Sequence, residues 1–147
     1  MKSENQVVLE FPSRSSNESF ARVAAAGFAM QLDPTLEELG DIKIAVSEAV
    51  TNAIIHGYPD CIGRIVMKLR IREGNVMEII VKDWGVGIAD VEQARKPMFT
   101  TGNDERSGMG FTIMESFMDT IRVKSAPQKG TTVTLKKRIS TRMGERK

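Results

Sequence analysis

The chain has 147 residues, the length of one ordinary domain and enough for a hydrophobic core. Apolar residues make up 41% and charged residues 27%, and the net charge of +2 gives no strong field for a nucleic-acid or membrane partner. The single cysteine, Cys61, excludes an internal disulfide, and neither a signal peptide nor an apolar membrane span is evident. These features predict a cytoplasmic protein.

The first third of the chain predicts a strand and a helix. Residues 6–11 are short and β-branched, which indicates a strand. Ser15 and Glu18 have the spacing of a capping box, so a first helix is expected over about residues 17–32. Arg22 lies off the apolar stripe of this helix and should face solvent or a partner. The stripe consists of Phe20, Val23, Ala24, Gly27 and Phe28.

A second, longer helix follows Pro34. Thr35 and Glu38 form a second predicted capping box, and the helix should end near Gly57, with Pro59 just beyond. Its apolar positions recur at helical spacing and should face the core. They are Leu39, Ile42, Val46, Ala49, Val50 and Ala53.

The rest of the chain predicts two hairpins separated by an irregular segment. Alternation over 63–72 and the apolar run at 76–82 predict the first hairpin, and 120–124 with 131–138 predicts the second. Short helices are expected near 90–95 and over 110–119. The polar residues 97–110 have no periodicity, which is unusual in a compact domain unless the segment is functional. The element order predicts an α+β fold, a two-layer sandwich with helices on one face of a mixed, mostly antiparallel sheet.

The second helix carries Glu48, Asn52 and His56, spaced four residues apart along one stripe. Asparagine can be a neutral oxygen ligand for Mg²⁺, and glutamate can act as a base toward a hydroxyl. A solvated polar helix face explains the same spacing. Metal binding by His56 with Glu48 alone is not expected, because the spacing of helix-borne zinc ligands is absent.

Three glycine-containing segments add to this stripe. After the first hairpin, Asp83 can accept a hydrogen bond from an exocyclic amine, and Gly85 and Gly87 let backbone approach a flat ligand. Residues 105–111 can form a phosphate site from backbone N–H groups at a helix start. Gly130 precedes two threonines that could line a base pocket. Alone, the Asp83 segment is equally consistent with a strand-terminal turn, residues 105–111 are consistent with a glycine-rich helix entry, and the Gly130 segment by itself favours a turn followed by β-branched residues.

Together the four segments resemble the N, G1, G2 and G3 boxes of the GHKL superfamily, whose members have the Bergerat ATP-binding fold. The stretches at 17–23, 32–39, 46–58, 99–101, 105–119 and 129–133 resemble, more narrowly, the anti-sigma F factors of spore-forming bacteria. The resemblance covers about residues 5–138. It implies a single kinase domain over 1–138, followed by a basic tail over 139–147.

The resemblance also implies roles for individual residues. Asn52 would coordinate Mg²⁺, Glu48 would be the general base, and Asp83 would recognise adenine, with Gly85 and Gly87 beside it. Residues 97–110 would form a lid over ATP or ADP. The remaining nucleotide contacts implied are Thr100, Thr101, Arg106, Ser107, Gly108, Met109, Gly110, Phe111 and Thr131 or Thr132. Trp84 departs from the usual pattern, and it could shield the adenine or pack outside the pocket.

The implied activity is that of a homodimeric protein serine kinase with two partners. It would bind and inhibit a sporulation sigma factor of the sigma F type, and it would phosphorylate and inactivate an anti-anti-sigma factor. Arg22 matches the region that the family uses for partner contact. Two alternatives stay open: a general-stress type of anti-sigma serine kinase, and a nucleotide-dependent sigma-binding module without phosphotransfer.

Overall fold

The structure, a computed structural model, describes residues 3–95 and 110–140. Its strands are β1 (Ser3–Pro12), β2 (Arg64–Arg72), β3 (Val76–Asp83), β4 (Thr120–Ala126) and β5 (Gly130–Arg138). Its α-helices are α1 (Ser16–Ala29), α2 (Leu36–Asn52), α3 (Val91–Ala94) and α4 (Gly110–Phe117). A 3₁₀ turn (Met30–Leu32) extends α1, and a π-helical turn (Ala53–Gly57) extends α2.

The five strands form one sheet in the order β1-β2-β3-β5-β4. All pairings among the described strands are antiparallel, so the sheet is more regular than the mixed sheet expected. Helix α2 contacts α1 on one side and α4 on the other, and α1 and α2 also contact the sheet. The predicted α+β class is confirmed.

The side chains of β2 and β3 alternate between the two faces of the sheet, as predicted. On β2 the buried apolar residues Ile65, Met67, Leu69 and Ile71 face the helices, and the intervening residues include Lys68 and Arg70. The strands pair in register from Ile65 opposite Asp83 to Arg72 opposite Val76. This register places Asp83 at the end of β3, on the same face of the sheet as the core.

The start of α2 has the predicted capping box. Thr35 Oγ1 accepts the Glu38 backbone N–H at 3.0 Å, and Glu38 Oε1 accepts the Thr35 N–H at 2.9 Å. Ile42, Val46, Ala49 and Val50 are fully buried or nearly so, and Leu39 packs against the core. The helical stretch ends at Gly57, where the sequence predicts its end.

The start and the buried face of α1 differ from the prediction. The Ser15 side chain makes no cap hydrogen bond, so no capping box forms there. Phe20 and Val23, expected in the core, are 58% and 65% exposed. The buried face consists instead of Ala21, Ala25, Ala26, Phe28 and Ala29. Both sides of α1 are apolar, and the smaller alanines allow a closer approach to α2 and the sheet.

The packed structure continues past residue 138, where the sequence analysis places the start of the basic tail. Ile139 is fully buried, and the Ser140 backbone N–H donates to Glu38 Oε2 at 2.8 Å. The domain boundary at 138 stays a prediction, and Ile139 belongs to the hydrophobic core. Within residues 3–95 and 110–140, no helix is long and apolar enough to cross a bilayer.

Candidate functional site

A cavity of about 280 Å³ lies between α2, its π-helical extension and the inner face of β3 and β5. The predicted site residues that line it are Asn52, Asp83, Gly87, Phe111 and Thr131. The other lining residues are Ala49, Ala53, His56, Gly57, Val81, Ile88, Ala94 and Val133. A mostly apolar cavity with a few converging polar groups is typical of a small-molecule site.

Asp83 supplies a carboxylate inside this apolar surface. The residue is only 4% exposed, and its Oδ1 accepts the Gly85 backbone N–H at 2.9 Å. Burial raises the pKa of the Asp83 carboxyl above its ordinary value, although hydrogen bonds from the Gly85 and Thr131 backbones act in the opposite direction. A buried acceptor at the end of a cavity is suited to a ligand that donates an N–H.

Glycines allow the backbone segments around Asp83 to pack closely against one another. A Cβ on Gly57 would lie 2.9 Å from Asp83 Cγ, and one on Gly85 would lie 1.9 Å from the Gly57 carbonyl oxygen. Gly87 has φ of +76°, and a Cβ there would lie 1.9 Å from the Ala126 carbonyl oxygen. The segment that the sequence identifies by its glycines therefore requires them for close contact and, at Gly87, for its conformation.

Thr131 is the threonine that faces the cavity. Its Oγ1 lies 2.7 Å from Ser125 Oγ, which also accepts the Ile88 backbone N–H at 2.8 Å. Thr132 lies on the opposite face of β5, because successive strand residues alternate. Ser125, which joins β4, β5 and the glycine loop, was not predicted from the sequence. An isolated serine in a strand gives no sequence signal for this role.

The other end of the cavity is formed by Asn52 and the start of α4. A Cβ on Gly110 would lie 2.9 Å from Asn52 Nδ2, so this glycine lets α4 approach the Asn52 side chain closely. Phe111 is buried beside them. The remaining predicted contacts, Thr100, Thr101, Arg106, Ser107, Gly108 and Met109, lie outside the described residues.

Glu48 lies outside the cavity, although it shares helix α2 with Asn52. It lines a separate groove between α1 and α2, together with the predicted partner residue Arg22. Arg22 is held on α1 by Glu18, at 3.5 Å, and by Ser19 Oγ, at 3.0 Å. The structure thus brings Glu48 and Arg22 together and places Asn52 with Asp83.

Trp84 packs outside the cavity. The residue is 43% exposed, and the Arg64 guanidinium lies 4.3 Å and the Lys82 ammonium 5.2 Å from the ring centroid. The Trp84 backbone N–H donates to Tyr58 Oη at 2.7 Å. Of the two roles left open for this residue, the structure shows packing outside the pocket, where cation–π contacts hold the ring.

The model of the family described as histidine kinase-like ATPase domain matches residues 11–137 of this chain. The "Anti-sigma F factor" of Geobacillus kaustophilus is 58% identical over 137 residues, covering 92% of this chain and 94% of the relative. The protein of that name from Bacillus subtilis is 54% identical over 138 residues, covering 92% and 94%. The chain belongs to the anti-sigma F factor family.

Solved structures support the fold alone. The RsbU and RsbW domains of a Mycobacterium tuberculosis protein match with a TM-score of 0.67 at 20% identity, covering 93% of this chain and 32% of that one. A blue-light activated histidine kinase from Erythrobacter litoralis matches with a TM-score of 0.60 at 18% identity, covering 88% and 43%.

Membership in a family of ATPase domains implies that the chain binds ATP or ADP.

Proposed function

We propose that the chain is an ATP-dependent protein serine kinase that phosphorylates an anti-anti-sigma factor, and that it also binds and inhibits a sigma factor of the sigma F type. The observation that carries the kinase proposal is the position of Glu48. It lines a surface groove, one residue before Ala49 and one helical turn before Asn52, and both of those line the cavity. A carboxylate between a nucleotide cavity and a surface groove is suited to act on a hydroxyl from a second molecule.

The cavity is the proposed nucleotide site. Asp83 would accept a hydrogen bond from the adenine amine, and the apolar side chains of Val81, Ile88 and Val133 would contact the faces of the base. Thr131, fixed by Ser125, would support the base from β5. The phosphates would then extend along α2 toward Asn52 and Gly110.

Asn52 is the proposed magnesium ligand. Its carboxamide lies at the cavity wall against Gly110, and a neutral oxygen fits an ion held mainly by phosphates and water. Bound Mg²⁺ would neutralise charge on the β- and γ-phosphates. Asn52 would orient the triphosphate so that its γ-phosphorus faces Glu48.

Glu48 would act as the general base. Its carboxylate would take the proton of the attacking serine hydroxyl while the serine oxygen bonds to the γ-phosphorus. The bond from the γ-phosphorus to its bridging oxygen breaks in the same displacement, which leaves ADP and a phosphoserine on the partner. Positioning the two oxygens in line is the main requirement for this reaction.

Arg22 is the proposed contact with protein partners. The relatives' shared name, anti-sigma F factor, supports a sigma factor as one of them. Phe20 and Val23 on the same helix, α1, are 58% and 65% exposed, and large exposed apolar side chains are typical of a protein-binding surface. By relationship we also propose that the chain acts as a homodimer.

The test is incubation of the protein with γ-labelled ATP, Mg²⁺ and the cognate anti-anti-sigma factor. Label on a serine of the partner is the expected result. ATP binding and sigma-factor binding without transfer would contradict the kinase proposal and favour a nucleotide-dependent binding module. Pull-down with purified sigma factors, with and without ATP, then separates a sigma F type of partner from a general-stress type.

A further inference from the structure

The groove between α1 and α2 has a volume of about 370 Å³ and opens to the surface. Its lining combines two cations, a hydroxyl, an apolar side chain and the proposed base. The residues are Arg22 on α1 and Gly40, Lys43, Ile44, Ser47 and Glu48 on α2. Apart from Arg22 and Glu48, none of these residues has a role in nucleotide or sigma binding above.

The groove and the nucleotide cavity lie on two sides of α2. Viewed along the axis of α2, with about 100° between successive residues, the groove residues of this helix lie on one side of Glu48, within roughly 140° of it. Asn52 and Ala49 lie on the other side of Glu48, at about 40° and 100°. Glu48 is therefore at the boundary between the two sites. An acceptor hydroxyl must approach the γ-phosphate from the side opposite the leaving ADP. The groove reaches Glu48 from the side of α2 that faces away from Ala49 and Asn52.

The charge of the groove favours an acidic ligand. Lys43 is exposed, and within residues 3–95 and 110–140 no carboxylate forms an ion pair with it. Arg22 is 40% exposed at the side chain and keeps Glu18 as its partner. Ile44, 40% exposed, offers an apolar contact between Lys43 and Glu48. A peptide with a carboxylate near its serine would complement this order of groups.

We propose that this groove binds the extended segment of the protein substrate that carries the acceptor serine, and that Lys43 pairs with an acidic residue near that serine. The inference rests on the proposed kinase function. Lys43 precedes Glu48 by five residues, or about 7.5 Å along the helix axis. An extended chain rises about 3.3 Å per residue, so the acidic residue lies roughly two positions from the serine. Lys43 is a positioning residue and takes no part in the proton transfer.

The experiment measures steady-state phosphorylation of the cognate anti-anti-sigma factor by the wild type, Lys43→Glu and Lys43→Arg. Lys43→Glu is expected to raise the KM for the protein substrate about fivefold to tenfold, with the Kd for ATP unchanged. Lys43→Arg keeps the charge and should retain the wild-type KM. Lys124→Glu is the matched control, because Lys124 is exposed on the outer face of β4, away from the groove.

A substrate variant identifies the partner of Lys43. Changing one acidic residue within about three positions of the serine to lysine should weaken transfer by the wild type and restore it with Lys43→Glu. An unchanged KM for Lys43→Glu, in an assay where the wild type transfers phosphate, overturns the groove proposal and leaves the kinase proposal intact. Absence of transfer by the wild type overturns the kinase function itself.

Discussion

Asp83 is the proposed acceptor for the adenine amine, and its burial has a cost in folding stability. Its carboxylate is buried among apolar side chains, and burial raises its pKa because the charged form loses its hydration. The pKa of an ordinary unfolded aspartate is about 3.9. At a pH above this raised pKa the Asp83 carboxyl is ionised in the folded protein, and burial makes this charged form less stable than the protonated form. The contribution of Asp83 to folding stability therefore becomes more favourable as the pH falls through its raised pKa.

Asp83→Asn should separate the two effects. The neutral side chain removes the buried charge and can still accept the Gly85 N–H, so the melting temperature at pH 7 should stay the same or rise. ATP affinity should fall about tenfold or more, because a hydrogen bond to a charged acceptor contributes about 1.5–3 kcal/mol. Calorimetric titration with ATP and thermal unfolding measure the two quantities.

The pH dependence of the same variant provides a second check. In the wild type, ATP affinity should decline as the pH falls toward the raised pKa of Asp83, since the protonated acid is a poorer acceptor. The decline should begin at a higher pH than for an ordinary aspartate. Asp83→Asn should lack this decline. A wild-type affinity that is flat across this range would show that Asp83 does not contact the base.

Gly87→Ala should destabilise the glycine loop. The backbone has φ of +76°, and the new Cβ would lie 1.9 Å from the Ala126 carbonyl oxygen, so both the conformation and the contact oppose a side chain. We expect a loss of at least about 1–2 kcal/mol in the free energy of unfolding. Gly27→Ala is the control, because nothing lies within 4 Å of its Cβ position in helix α1, and it should be neutral or stabilising. Equal denaturation midpoints for the two variants would refute this assignment.

At the scale of elements, the two long helices begin differently although their sequences look alike. Both starts carry the spacing of a capping box, Ser15 with Glu18 and Thr35 with Glu38. Thr35 has extended backbone angles, which orient its hydroxyl toward the Glu38 N–H. Ser15 already has helical angles, so its hydroxyl does not reach an N–H of the first turn. The backbone conformation decides whether the motif forms.

Thr35→Ala should lower the free energy of unfolding by about 1 kcal/mol, whereas Ser15→Ala should change it little. Denaturant unfolding of the two variants measures the difference. A loss for Ser15→Ala as large as that for Thr35→Ala would contradict the observed geometry.

Glu38 also connects the start of α2 to the end of the described chain, because its carboxylate accepts a hydrogen bond from the Ser140 backbone N–H. Burial acts to raise the pKa of the Glu38 carboxyl, but hydrogen bonds from Ser140 and Thr35 together lower it below its ordinary value. A lowered pKa contributes stability that is present above the unfolded pKa, about 4.3, and is lost as the pH falls through the folded value. Glu38→Gln should therefore be less stable than the wild type at neutral pH, and the gap should close in acid.

The sequence predicts some elements better than others for identifiable reasons. Helix α2 has a single apolar stripe, so its buried face can be predicted from periodicity. Its capping box forms as predicted, so its start can be predicted as well. Helix α1 has apolar residues on two sides, and periodicity alone cannot show that Ala21 and Ala25 pack inward while Phe20 and Val23 remain exposed. Asp83 and Gly87 are marked by their glycine-rich context, whereas Ser125 acts through contacts between strands that are distant in sequence.

At the scale of the whole molecule, helix α2 is the wall shared by two sites. Its inner side, with Ala49 and Asn52, lines the proposed nucleotide cavity, and its outer side, with Lys43 and Glu48, lines the groove toward α1. A rigid helix can hold groups on both sites in fixed relation, which a transfer between two bound molecules requires. The arrangement predicts that neighbouring residues on α2 have separable functions.

Asn52→Ala and Glu48→Gln test this separation. Asn52→Ala should weaken the binding of Mg²⁺-ATP itself, because it removes the proposed ligand in the cavity. Glu48→Gln should leave that binding largely intact, because the side chain lies in the groove and keeps its size. Fluorescence titration with a nucleotide analogue, with and without Mg²⁺, measures both. Equal losses of binding in the two variants would show that α2 does not divide two sites.

The central claim is that Glu48 removes a proton from a serine of a bound protein while the adjacent cavity holds ATP. The most direct measurement is single-turnover phosphotransfer from labelled ATP to the cognate anti-anti-sigma factor by the wild type and Glu48→Gln, at saturating concentrations of both substrates. We predict a loss of at least about a hundredfold in the transfer rate, with ATP affinity retained. Transfer at the wild-type rate by Glu48→Gln would contradict the account.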